Sequence, residues 1–370
     1  LNDTAAGRAR FRSFGEKIRR SSPLYSAIAL AAADDEDMLG LVSEVPDDDG
    51  VATLLLAAVH YLARRSDSKL AAFYPTLGGT LEPGYRAWQA FRDFALDHRH
   101  QIGVLLRTKS VQTNEVRRAA VIRPALARIA RRVRGPVSLV EVGCSAGLLL
   151  SLDRYSYRYR VAGGEEIRVG RPESGLRLDC DVYGSFPLDV AEGLSFVSRV
   201  GLDRNPLDCR DPEQLAWLEA CVWADQPARL KRLREAIREH RPQDVVMLAG
   251  DAIGHLSTAI SATADDSTVV VLTSWLFTYL VPDGQLAFRA ALRNAAHGRE
   301  LWWAGNETYE SCLGHGYPQA GHLSYRASGR CVVAVAPVHE PGAGAEILGT
   351  ADVHGASLHG FSGPSIRVSW

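Results

Sequence analysis

The chain reads as an α/β protein, with a helical N-terminal third followed by a mostly parallel sheet. Three observations predict this. Residues 1 to about 135 carry almost no strand pattern; strand and helix patterns alternate from Val137 onward; and Ser267-Thr-Val-Val-Val-Leu272 is nearly unbroken apolar sequence. Alternating strands and helices imply βαβ units. A strand this continuously apolar is buried on both faces, as at the centre of a parallel sheet.

At 370 residues the chain can bury a substantial core in one large or two moderate domains. A net charge of −1 gives no overall basicity, so neither nucleic acid nor an anionic membrane is expected as a partner. The longest apolar stretches, Ile28 to Ala33 and Val51 to Ala63, are shorter than the roughly 20 residues of a membrane span. The charged N-terminus lacks a signal-peptide pattern, and a cytoplasmic location is expected. Six cysteines without a Cys-x-x-Cys pair read as reduced thiols, and no metal site is expected.

The N-terminal region, 1–135, reads as helices broken at Ser21-Ser-Pro23, at Val45 to Gly50 and from Tyr74-Pro75 to Gly84. It is expected to act as a cap that forms a substrate pocket or mediates dimerisation. Trp88, Phe91, Phe94 and Ala95 form one apolar helix face. A helix over Val116 to Val133 buries Ile122, Leu126, Ile129 and Val133, and Pro124 kinks or restarts it. Arg128, Arg131, Arg132 and Arg134 near its end read as a solvated face. Thr113 or Asn114 would cap this helix.

The second region, 136–370, starts with strand Val137 to Val142, then Glu141-Val-Gly-Cys-Ser-Ala-Gly147, then a leucine-rich helix from Ala146 to about Arg154. Glycines let backbone approach a ligand, and the N–H groups of the next helix start would face it. The Gly-x-Gly-x-x-Gly dinucleotide spacing fails because residue 145 is Ser, and a P-loop fails because Leu148 follows Gly147. A β-rich insertion spans about 155–196, with alternating Tyr155, Tyr157 and Tyr159 and a turn at Gly163-Gly164. The second main strand is Ser198 to Asp203, where Asp203 is a ligand or forms a turn with Asn205-Pro206. Helices start at Pro212 and Pro227, and the basic residues of the latter read as solvated. A third strand, Asp244 to Leu248, delivers Asp251, which is a ligand or a helix cap.

The fourth strand, Ser267 to Leu272, delivers Ser274, Trp275 and Tyr279 to the same edge, for stacking on a ligand or for core packing. A helix starts at Pro282. The fifth strand, Glu300 to Ala304, ends in Gly305-Asn306-Glu307. Segments Leu323 to Ala327, Cys331 to Ala336 and Ile347 to Val353 alternate like strands. His354 and His359 lack a third partner for a metal.

The acid-x-Gly-x-x-x-Gly loop resembles that of class I S-adenosylmethionine-dependent methyltransferases. The chain also looks like a bacterial family of unknown function with that fold, through Val111 to Glu115, the glycine loop, Gly201 to Leu207, Ala220 to Trp223 and Trp302-Trp303 to Glu307. The resemblance implies a Rossmann-like class I methyltransferase fold whose sheet closes with a C-terminal antiparallel hairpin. It implies S-adenosyl-L-methionine as cofactor, S-adenosyl-L-homocysteine as product, and a small or medium-sized acceptor methylated on oxygen or nitrogen. The implied cofactor contacts are Asn114, Glu115, Glu141, Gly143, Cys144, Ser145, Ala146, Gly147, Asp203, Arg204, Asp251, Ala252, Ser274 and Trp275. Asp203 would meet the ribose and Asp251 the adenine amino group. Tyr279 and Asn306 would contact the acceptor, and Glu307 or His315 would be the general base, each with a structural alternative. A non-catalytic cofactor-binding scaffold and a nucleotide-dependent oxidoreductase remain open as other classes.

Overall fold

The computed structural model describes residues 2–43, 50–188, 193–314, 320–363 and 365–369. His315 therefore lies outside the described residues. In chain order, helices α1 (Asn2–Ile18), α2 (Pro23–Ala32), α3 (Glu36–Val42), α4 (Val51–Ala63), α5 (Tyr85–Asp97) and α6 (Arg99–Thr108) come first. They are followed by α7 (Arg118–Ala130), β1 (Val137–Val142), β2 (Ser156–Val161), β3 (Glu166–Gly170), β4 (Arg177–Tyr183) and β5 (Ser198–Asp203). Next come α8 (Pro212–Ala220), α9 (Pro227–Glu239), β6 (Val246–Ala249), α10 (Leu256–Ser261), β7 (Thr268–Ser274), α11 (Pro282–Ala295) and β8 (Leu301–Glu307). The chain closes with α12 (Tyr309–Cys312), α13 (Tyr325–Ser328), β9 (Arg330–Pro337), β10 (Ala345–Asp352), β11 (Ser357–His359) and β12 (Ile366–Val368).

Two compact units result, one of residues 1–114 and 209–233, the other of 115–208 and 234–370. The first is helical and organised around α4, which is buried on nearly every side. Its core takes in Trp88, Phe91, Phe94 and Ala95, as their helical spacing requires. The segment 209–233 is held there by specific bonds. His60 Nδ1 meets the Ala220 carbonyl at 3.0 Å and Nε2 meets Thr76 Oγ1 at 2.9 Å, while Trp217 Nε1 donates to Ser110 O at 2.9 Å. The buried His60 is thus fully satisfied, and burial holds its imidazole down at about 4, in the neutral form.

The second unit is built on a twelve-stranded sheet of order β3-β2-β4-β11-β10-β9-β8-β7-β1-β5-β6, with β12 also paired to β10. The half β8-β7-β1-β5-β6 is entirely parallel. From β8 the sheet continues as an antiparallel meander through β9 and β10. The insertion strands β2 and β4 join through β11 and extend this same sheet at its far edge. One face of the parallel half carries Val140, Val142, Val200, Leu202, Val271 and Trp303, packed with Leu256, Ile260, Phe288 and Leu292 of α10 and α11. On the meander side, α7 packs against β8, β9 and β4.

Four sequence expectations change. The leucine-rich segment after the glycine loop is a 3-10 helix, Leu148–Arg154, because the chain must re-enter a strand at Ser156 and six consecutive residues from Leu148 are buried. Leu323 to Ala327 is not a strand. The Glu310 carboxylate accepts the backbone N–H groups of Tyr325 (3.1 Å) and Arg326 (3.3 Å), so its charge stabilises the start of α13. Arg128 and Arg132 are not a solvated pair, since both bond the nearly buried Glu346 of β10. Asn306 and Glu307 lie within β8 rather than in a loop beyond it.

Candidate functional site

The strand order creates a switch point at β1. After the excursion through β2–β4 at the far edge, the chain adds β5 and β6 on one side of β1, then β7 and β8 on the other. The order of the parallel half thus reverses between β1 and β7, and in open α/β sheets ligands bind at the carboxyl ends beside such a reversal. The 143–147 loop follows β1 at this point.

Three loop residues take left-handed backbone: Gly143 (φ 79°), Ser145 (φ 51°) and Gly147 (φ 69°). Only Ser145 carries a side chain there, at a steric cost of about 1–2 kcal/mol. The loop is tied to β5, since Gly143 N donates to Leu202 O (2.8 Å) and Ser145 N to Asp203 Oδ2 (2.8 Å). Gly201 makes the approach feasible, because a Cβ there would lie 2.7 Å from both Cys144 Sγ and Met247 Sδ. The sequence signal for this role is a glycine inside a strand. Cys144 fills that gap, and burial, with the Glu141 and Asp203 charges, pushes its thiol well above its ordinary range. Its side chain packs in that gap, and the raised thiol disfavours the thiolate form that a nucleophile needs.

Asp203 Oδ1 accepts Asn205 N at 2.8 Å, so the expected turn forms while Oδ2 locks the glycine loop. Each oxygen retains a lone pair. Arg204 reaches Asp251 at 3.1 Å. Asp251 Oδ1 accepts Gly254 N (3.1 Å) and Ile253 N (2.9 Å), and these bonds hold its carboxyl below the usual range. The helix after it, α10, has His255 as N-cap, so Asp251 caps the preceding turn. Ala252 is buried beside it, and Ala146 within the loop.

Across the switch point, Glu141 opposes Leu272 in β7, and Ser274, two residues on, opposes Asn306 in β8. Residues two apart along a strand share a face, so Glu141, Ser274 and Asn306 project to one side of the sheet. Glu141 and Asn306 are buried. Glu141 Oε2, Ser274 Oγ and both amide atoms of Asn306 have no hydrogen-bond partner. Burial, then the nearby Asp203 charge, raises the Glu141 carboxyl well above its ordinary value.

Trp275 adopts φ 65° and donates its backbone N–H to Asn306 O at 3.1 Å. Its ring meets Tyr325 edge-on at 5.5 Å, and the Arg118 guanidinium lies over it at 5.4 Å. Glu307 projects to the opposite face from Asn306. Its oxygens accept Leu276 N (3.0 Å) and Phe277 N (3.2 Å), and burial lifts its carboxyl to about 7. That geometry holds the turn after β7. Tyr279, at 76% exposure, is the open end of that turn. Glu115 is buried with His354 Nδ1 at 4.0 Å, whereas Asn114 ends the first segment of the helical unit. His359 bonds Ser357 at 2.9 Å and stacks on Tyr183. Among the described residues no group of three or more His, Cys, Asp or Glu could hold a metal, and no helix is long and apolar enough to cross a membrane.

Two concavities lie elsewhere. One of about 330 Å³ is lined by Arg99, His100 and Arg107 in the helical unit, and one of about 170 Å³ by Arg128, Leu348 and Phe361 in the sheet unit. No curated protein matches the chain. A family model covers residues 8–359, and the chain belongs to that family, a group of uncharacterised proteins conserved in bacteria (DUF2332).

Proposed function

We propose that the β1/β7 edge binds S-adenosyl-L-methionine and that the chain transfers its methyl group to a small or medium-sized acceptor, leaving S-adenosyl-L-homocysteine. The observation that carries this reading is the buried, unpartnered Glu141 oxygen at the root of a loop with three left-handed residues, at the switch point. Buried polar atoms without partners are rare, and each needs a reason. The spare lone pairs of Asp203 would take ribose hydroxyls, Glu141 and the loop backbone the amino-acid end, and Asp251 the adenine amino group. The cofactor, when bound, supplies the reactive methyl carbon. The protein's share is to align acceptor and methyl and to exclude water.

One observation favours a cofactor-binding protein without catalysis: both Glu307 oxygens are already engaged by backbone donors. Calorimetry with S-adenosylmethionine, S-adenosylhomocysteine and NAD tests the binding reading. Binding of NAD without either sulfur compound would overturn it in favour of a nucleotide-dependent oxidoreductase. Binding of the sulfur compounds with no methyl incorporated into a broad acceptor pool would favour the scaffold reading.

A further inference from the structure

Asn306 is fully buried, yet neither its Nδ2 nor its Oδ1 has a hydrogen-bond partner. Ser274, opposite it in the β7–β8 register, has none for its hydroxyl. An unmade buried hydrogen bond destabilises the fold, and an apolar side chain at either strand position would avoid that cost. A second cost falls at the same place. Trp275, bonded through its N–H to the Asn306 carbonyl, sits at φ 65°, a strained conformation for a bulky residue. Both costs meet at the carboxyl edge beside the glycine loop.

We infer that Asn306 and Ser274 recognise the methyl acceptor through a planar edge that pairs a hydrogen-bond acceptor with a donor. Primary carboxamides, lactams and the ring-nitrogen/amine edges of nitrogen heteroaromatics have this edge. An Asn amide presents one N–H and one carbonyl oxygen side by side, and its best partner offers the reverse pair in the same plane. A carboxylate leaves Oδ1 unpaired, and an ammonium leaves Nδ2 unpaired. The Ser274 hydroxyl turns to whichever role the third contact needs. Asn306 is closed from solvent, so recognition requires the adjoining turn at Trp275, whose N–H bonds the Asn306 carbonyl, to open for the acceptor. The inference rests on the methyl-transfer reading of this edge and adds the acceptor's chemical class.

The test uses the full chain with S-adenosylhomocysteine present and matched probes in ligand-observed NMR: nicotinamide against 3-acetylpyridine, and 2-aminopyridine against 2-methylpyridine. The first of each pair keeps the donor–acceptor edge, and the second loses the donor. The first should bind at least about tenfold tighter, and Asn306→Leu should erase that preference while leaving the melting temperature equal or higher and S-adenosylhomocysteine affinity unchanged. Equal binding within each pair overturns the inference, as does an undiminished preference in Asn306→Leu. If that variant does not fold, the preference in the natural chain decides. Failure of S-adenosylhomocysteine to bind while the preference persists would sink the methyl-transfer reading and leave the amide-reading site standing.

Discussion

Glu307→Gln isolates one buried charge. The carboxyl has an ordinary value of 4.5 and is lifted to about 7 in the fold, chiefly by burial and against the pull of its hydrogen bonds from Thr273, Leu276 and Phe277. The native state therefore binds the proton more tightly than the unfolded chain. The group's stabilising contribution is fully present below the unfolded value and is lost as pH rises through the folded one. A difference of this size corresponds to about 3 kcal/mol. Glutamine carries no proton to lose, but it offers one acceptor oxygen where glutamate offers two. Either Leu276 N–H or Phe277 N–H then lacks a partner, at a pH-independent cost of about 1–3 kcal/mol. Urea unfolding of both chains between pH 5 and 8.5 should show Glu307→Gln the less stable at pH 5. The gap should narrow by about 3 kcal/mol, to parity or beyond, by pH 8.5. A gap that stays constant across that range would refute the assignment of a proton to this carboxyl.

Gly143→Val places a branched side chain at φ 79° and against Leu276, whose Cδ1 would lie 3.3 Å from the new Cβ. S-adenosylhomocysteine binding, read by calorimetry, should be abolished while far-UV dichroism retains the helical signal. Gly201→Ala should unfold at lower urea, by about 1–3 kcal/mol, because its Cβ would overlap Cys144 Sγ and Met247 Sδ. Glu346→Gln leaves Arg128 and Arg132 without their carboxylate. The Glu346 carboxyl is held down at about 2. The variant's deficit should accordingly be full at pH 7 and fade as pH falls from the ordinary carboxylate range toward 2. Cys209 alone among the six cysteines is not buried. Brief alkylation of the native chain followed by mass mapping should find it modified first.

The helices of the first region and the alternation after Val137 were legible because periodicity reports which face is buried. Strand Ser198 to Asp203 and the helix starts at Pro212, Pro227 and Pro282 fall where the apolar pattern and proline placement put them. The glycine loop was legible too, and Ser145 adopts left-handed backbone although the residue type does not announce it. Asn306 and Glu307 were the hardest to read. Adjacent in sequence, they project to opposite faces, so one is left with two unpartnered amide atoms while the other anchors a turn.

The sequence by itself determined most of the helices and strands, though not the short helix at Tyr325–Ser328, and that an acid and two glycines meet at the end of one strand. These are local properties, set by side-chain spacing and backbone freedom. Only the tertiary structure decided that the insertion strands join the main sheet through β11 and that residues 209–233 return to the helical unit. It alone brings Glu141, Ser274 and Asn306, up to 165 positions apart in the sequence, to one face of one edge. Strand pairing is non-local. Its register depends on which partner buries which face, and no window of sequence short enough to show a period contains both partners.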